Sequence, residues 1–368
     1  MEVKQKKDRD CGVDLLRIFL ALMVVGLHFN ARATGGVAVA VSDSPFIYIV
    51  NMMVALCYPA VNTYVLISGY YSYKQKKSYV DILFSLVKLW ICLLFFSVFG
   101  YIVVTIVNDE HFSFYNLLLR CFPLSRGVWW FMTNYFVMML LSPMMNMIID
   151  SHSLRGNFSI LLVSLIICSV IPFFLKWEDM IGVHYGYSII WFVVLYYTGA
   201  MLRFVKFSFT REIHFCIFLI LTVSFIIINS IFSHLSFMKG YHVSMYNSLV
   251  VYFQAIFLFL TFVGMQIKLS KLRTVIISLS SLSLAVYIFH CQEDIGPFIW
   301  DTLKPARFAN SWFVIPLFVY TVFGIYIISV SIEFLRKRIG GFMNVESHSI
   351  KMITNGIVKI FCIKFNYK

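Results

Sequence analysis

From its first twenty residues to its last fifty, the chain alternates apolar stretches of membrane-spanning length with short polar connections. Crossing a hydrocarbon core about 30 Å thick takes roughly 20 helical residues. On that measure the pattern predicts ten helices, at 14–34, 46–72, 80–107, 128–149, 158–175, 188–204, 213–233, 246–267, 275–292 and 312–335. No internal repeat or low-complexity segment interrupts them. The expected fold class is therefore all-α, an integral membrane protein of about ten transmembrane helices. It divides into an N-terminal segment 1–13, a membrane domain 14–338 and a basic tail 339–368. The first stretch does not read as a cleavable signal: it contains Arg17 and His28, lacks a clear small-residue cleavage site and is followed by many more spans.

Composition agrees. The chain is 60% hydrophobic and 13% charged, where a soluble domain is about a quarter charged. Charge adds an orientation. Twenty-one of the lysines and arginines fall at the two termini and in the loops on their side, against seven on the other side. By the positive-inside rule both termini are expected in the cytoplasm. The net charge of +13 does not point to nucleic acid, because the bases lie between spans rather than on one soluble face. Eight cysteines without a C-x-x-C pair argue against a metal knuckle or a disulfide scaffold, so no metal is expected. In the tail, Lys351, Lys359 and Lys364 mix with Ile353, Ile357 and Ile360. A lipid-bound amphipathic helix and a frayed end both stay open there.

Candidate chemistry concentrates in the first helix. Ionisable residues within a span are costly and usually face a protein interior or a wet cavity. Arg17 and His28 are eleven residues apart, roughly 16 Å along a helix and on one face. Asp14 lies one turn before Arg17, within pairing distance. A cation near one surface and an imidazole near mid-membrane suit acyl-CoA, with its phosphate-rich head and distant thioester; His28 would then be the general base for an attacking hydroxyl. The plain alternative is a snorkelling arginine and a buried structural histidine. Lys88, about nine residues into the third span, could reach a CoA phosphate or snorkel to the surface. Trp129 and Trp130 fit an interfacial belt or a sugar-stacking surface. His290, Glu293 and Asp294, ending the ninth span, could meet sugar hydroxyls or simply form an exposed helix end.

The segment Asp14-x-x-Arg17-x10-His28 resembles the opening of the acyltransferase 3 family of bacterial membrane acyltransferases. Ile67-Ser68-Gly69-Tyr70, Trp129-Trp130-Phe131 with Tyr135, Leu141-Ser142-Pro143, Tyr196 with Gly199 and Arg203, and Ser283 to His290 are similar to later family stretches, in order. The resemblance covers residues 12–338. It implies ten helices, acyl-CoA (acetyl-CoA by default) as a transient donor, and Arg17 and His28 as essential residues. It further implies a bacterial plasma-membrane location and a hydroxyl of a cell-surface or lipid-linked polysaccharide as acceptor. Where the family often carries Arg-x-x-Arg after Ser-Gly-Tyr, this chain has Lys74 and Lys77, which can grip a phosphate as point charges or merely mark the cytoplasmic side. Expected partners are acyl-CoA, the glycan acceptor and membrane lipid; homo-oligomerisation stays open. A flippase for lipid-linked glycan is the runner-up, disfavoured because only Arg17 and Lys88 lie within spans. A glycan polymerase would need a larger outer loop than any here.

Overall fold

A computed structural model describes residues 9–41, 45–75, 78–175, 181–234 and 243–342, and among them the chain is helical without a strand. Lys77 and nearly all of the predicted tail, 343–368, lie outside the described residues. The first helix, α1 (Cys11–Asn30), starts where Asp10 accepts hydrogen bonds from the backbone N–H groups of Gly12 and Val13, the usual way of satisfying orphan donors at a helix start. The same carboxylate also accepts from Tyr71 Oη and from the Gly264 backbone N–H. The entry of α1 is thereby tied to two other elements.

The second predicted span breaks in two, α2 (Phe46–Cys57) and α3 (Ala60–Gln75), at Pro59, whose ring fixes φ and supplies no N–H. Next come α4 (Tyr79–Val107), opened by a capping box between Ser78 and Asp81, and the short α5 (Phe114–Arg120). In α6 (Trp130–Ser151) a proline at 143 leaves the Met139 carbonyl without its helical donor, and the Ser142 hydroxyl donates to it at 2.7 Å. The Ser-Pro pair is thus a kink and its own repair. Then follow α7 (Leu154–Leu175), α8 (Ile189–Met201), α9 (Arg211–His234), α10 (Leu249–Phe262), α11 (Ser270–Ser280), α12 (Leu284–His290), α13 (Ile295–Leu303) and α14 (Val314–Phe342).

Eight helical stretches among the described residues are long and apolar enough to cross a bilayer. The other two expected spans, 188–204 and 246–267, contract to α8 and α10, of 13 and 14 residues. At 1.5 Å per residue they reach only about 20 Å. α8 is largely buried and α10 is buried along most of its length, with Leu249 and Phe253 exposed, and the turn that precedes α10 is hydrogen-bonded inside the protein. Asn62 donates to the Tyr246 carbonyl at 2.7 Å, and Asn247 donates to the Cys168 carbonyl at 2.9 Å. Irregular backbone at membrane depth is tolerated where protein rather than lipid surrounds it.

The most extensive helix contact among the described residues is α3 on α8. A Cβ on Gly69 would strike the Tyr196 carbonyl, and one on Gly199 would strike the Leu66 carbonyl, so the two backbones meet directly. Small residues at such crossings are the membrane substitute for a hydrophobic drive. The main core gathers α1, α3, α4, α6, α8, α10 and α12 around Leu16, Leu20, Leu66, Phe96, Phe192 and Phe259. Within it α1 is central, touching α2, α3, α10, α11, α12 and α14.

Candidate active site

The polar stripe of α1 opens into two cavities. At its N-terminal end Asp14 is fully buried and saturated. Arg9 reaches it through Nε and Nη2 at 2.6 and 2.9 Å, Arg17 through Nη1 at 2.9 Å, and the Ser280 hydroxyl at 2.9 Å. Two guanidiniums share one carboxylate, and both line a cavity of ≈ 380 Å³ whose walls also carry the hydroxyls of Ser68, Ser72, Ser85 and Ser283. A site with more cation than carboxylate and a row of hydroxyls suits an anion with amide or phosphate oxygens beyond it. Tyr135 lines this inner cavity too.

At the other end of α1, His28 lines a second cavity of ≈ 260 Å³, walled by Trp130, Tyr187, Tyr246, Tyr58 and Tyr287 and bordered by Asn30 and Arg32. The cavities adjoin, since Tyr64, Phe131, Met132, Ser283 and Leu284 line both. The Tyr64 hydroxyl donates to the Arg17 carbonyl at 2.9 Å, fixing that partition to the same helix that carries both charged groups.

His28 does not stand alone. Its Nδ1 lies 2.7 Å from Nε2 of His290, whose own Nδ1 bonds the Val286 carbonyl one turn back. A carbonyl only accepts, so His290 carries its proton on Nδ1, and in a neutral ring Nε2 is then an acceptor. The proton between the rings therefore belongs to His28 Nδ1, which leaves His28 Nε2 as the basic nitrogen. The Cys291 thiol sits 3.4 Å from His28 Nδ1 and 3.9 Å from Nε2. These three residues offer ligand atoms within 4.8 Å of one another. Yet two nitrogens on one tetrahedral zinc would stand roughly 3.3 Å apart, so the pair has the geometry of a hydrogen bond.

The segment after His290 is pinned. Gln292 is buried; its Oε1 accepts from the Asp294 and Ile295 backbone N–H groups at 2.7 and 2.6 Å, and its Nε2 donates to Asp294 at 2.8 Å. From the connection around α5, Arg126 grips Glu293 with two bonds of 2.7 Å and Arg120 grips Asp294 at 2.6 Å. Burial works against the charge of Arg120, but its hydrogen bonds to the Asp294 carboxylate and the nearby Glu293 outweigh it and hold its guanidinium above its ordinary pKa.

Several sequence expectations change accordingly. Glu293 is not a free acceptor for sugar hydroxyls, because its oxygens are taken by Arg126 and Arg120. Trp129 is neither interfacial nor open to a sugar: it is fully buried, and its indole N–H donates to the Ile288 carbonyl at 3.1 Å. Trp130 does line the outer cavity, against Tyr187 at 4.5 Å between ring centroids. His290 touches His28 rather than the cavity wall. Lys74 is exposed at the end of α3 and Lys88 is exposed on α4 with its ammonium 4.4 Å over the Phe84 ring; neither lines a cavity described here. Sequence reasoning missed Arg9, Tyr64 and the pairing of the two histidines. A signal existed: Ser280, Ser283, Tyr287 and His290 recur at steps of three, four and three, one helical face facing α1.

Residues 12–330 match the sequence profile of the acyltransferase 3 family, described as an acyltransferase domain, over most of the chain. The chain belongs to the acyltransferase 3 family. No significant match to a curated protein or to a solved structure accompanies it. Together with eight apolar helices of spanning length, membership makes the chain a multi-pass membrane acyltransferase.

Proposed function

We propose that this acyltransferase moves an acyl group, acetyl by default, from acyl-CoA to a hydroxyl of a cell-surface or lipid-linked polysaccharide in a bacterial plasma membrane. The observation that carries the reading is the pair of adjoining cavities along α1, one holding Arg9 and Arg17 and the other holding His28. The base-rich end of the bundle is taken as cytoplasmic. CoA phosphates then lie on the two guanidiniums, the pantetheine arm passes the serines, and the thioester arrives at the partition. An acceptor hydroxyl enters from the aromatic cavity. His28 Nε2 takes its proton as the oxygen attacks the thioester carbonyl. The C–S bond breaks, and the departing CoA sulfur recovers a proton from the imidazolium. His290 Nε2 accepts the His28 Nδ1–H throughout, the orienting role that a carboxylate plays in a hydrolase triad.

The test is incubation of detergent-purified protein with labelled acetyl-CoA, with and without glycan, following thioester cleavage and label transfer. Transfer that disappears in His28→Ala, with donor binding intact, supports the reading. A protein that binds no CoA and cleaves no thioester would leave the flippase reading in its place.

A further inference from the structure

The outer cavity has an uncompensated charge. No aspartate or glutamate lines it among the described residues. Its border carries the exposed guanidinium of Arg32, which makes no ion pair among the described residues. The two other arginines beside the His290 end of α12 are spent, Arg126 on Glu293 and Arg120 on Asp294 with Glu293. Among the described residues that line this cavity, Arg32 is the one arginine or lysine, and it is left to a ligand.

A second, independent observation lies two residues earlier. Asn30 is 2% exposed and borders the same cavity; its Nδ2 donates to the Gly26 carbonyl at 2.8 Å, while Oδ1 has no partner among the described residues. A buried acceptor left unmade is costly and calls for a donor. The mouth therefore asks for an anion, and the wall next to His28 asks for an O–H or N–H. The same cavity is lined by Trp130, which stacks on Tyr246 and tilts at 51° against Tyr187, an aromatic wall that offers a π surface to the C–H side of a sugar ring.

We infer that the acceptor is an acidic glycan. A carboxylate or phosphate near the acylated hydroxyl docks on Arg32, and a neighbouring hydroxyl or amide N–H docks on Asn30 Oδ1. The acyltransferase reading locates the reaction; the charge preference is a property of binding and can be measured without acyl-CoA. Arginine rather than lysine suits it, because the planar fork takes a carboxylate or phosphate through two bonds.

The experiment is equilibrium binding of three glycans to the full-length protein in neutral detergent. The probes are oligogalacturonate, oligogalactose of the same length, and that oligogalactose bearing one phosphomonoester. At least one acidic glycan should bind about tenfold or more tightly than the neutral one, the range of a charge-assisted pair, and the stronger of the two identifies carboxylate or phosphate. Arg32→Gln should bring the ratio of acidic to neutral binding down to about one, and Arg32→Lys should keep part of the preference. Arg307→Gln, which removes another exposed base, should leave it intact. Equal binding of all three glycans, no measurable binding of either acidic one, or a preference that survives Arg32→Gln would each overturn the inference. A protein that prefers acidic glycan but never transfers label from acetyl-CoA would sink the acyl-transfer reading alone.

Discussion

At the level of single residues, the pair His28–His290 makes the sharpest distinctions. His28→Ala removes the proton acceptor and is expected to lower turnover by about 10²–10⁴-fold, with membrane insertion unchanged; single-turnover transfer from labelled donor measures it. His290 acts through His28, so its variants separate chemistry from packing. His290→Gln can still accept from His28 Nδ1–H and is expected to retain far more turnover than His290→Ala, at equal donor affinity. Equal loss in both would assign His290 to packing. Arg17→Ala should weaken CoA binding, and Arg9→Ala likewise, because both guanidiniums line the inner cavity. Asp14 would then be left buried with one arginine fewer, which costs stability as well, so Lys replacements belong beside the Ala ones. The intramembrane polarity of Arg17 and His28 was legible in the sequence, because an ionisable group amid apolar residues needs a reason. Arg9 was not: outside the span it is one base among many, and only its contact with Asp14 sets it apart.

Among the helices, the kink of α6 is a self-contained experiment. Ser142→Ala leaves the Met139 carbonyl without a donor and should destabilise the protein by about 1–3 kcal/mol. Adding Pro143→Ala restores the missing N–H and should recover most of that loss, a coupling that additive effects would not give. Thermal unfolding of the four proteins in one detergent decides it. Helix existence was readable from apolar length alone. Helix ends were not. At the start of the span expected at 246–267, Asn62 meets the Tyr246 carbonyl and Asn247 the Cys168 carbonyl, and those partners lie far away in the chain. Trp129 is similar: tryptophan near a span end suggests an interface, and only the position of Ile288 explains its burial.

For the molecule as a whole, the thin partition has an electrical consequence. Two cavities approach from opposite ends of α1 and are divided by the side chains of Tyr64, Phe131, Met132, Ser283 and Leu284. Solvent entering both would carry each bulk potential inward, so most of the transmembrane voltage would drop across that septum instead of the full 30 Å. A unit charge crossing the whole field is worth about 2.3 kcal/mol per 100 mV, and here a proton displaced by a few ångströms would sample a large share of it. The septum must therefore insulate as well as admit a thioester. Met132→Gly with Leu284→Ala should make proteoliposomes leak protons under an imposed potential, measured with an entrapped pH dye, and bound acyl-CoA should plug the leak.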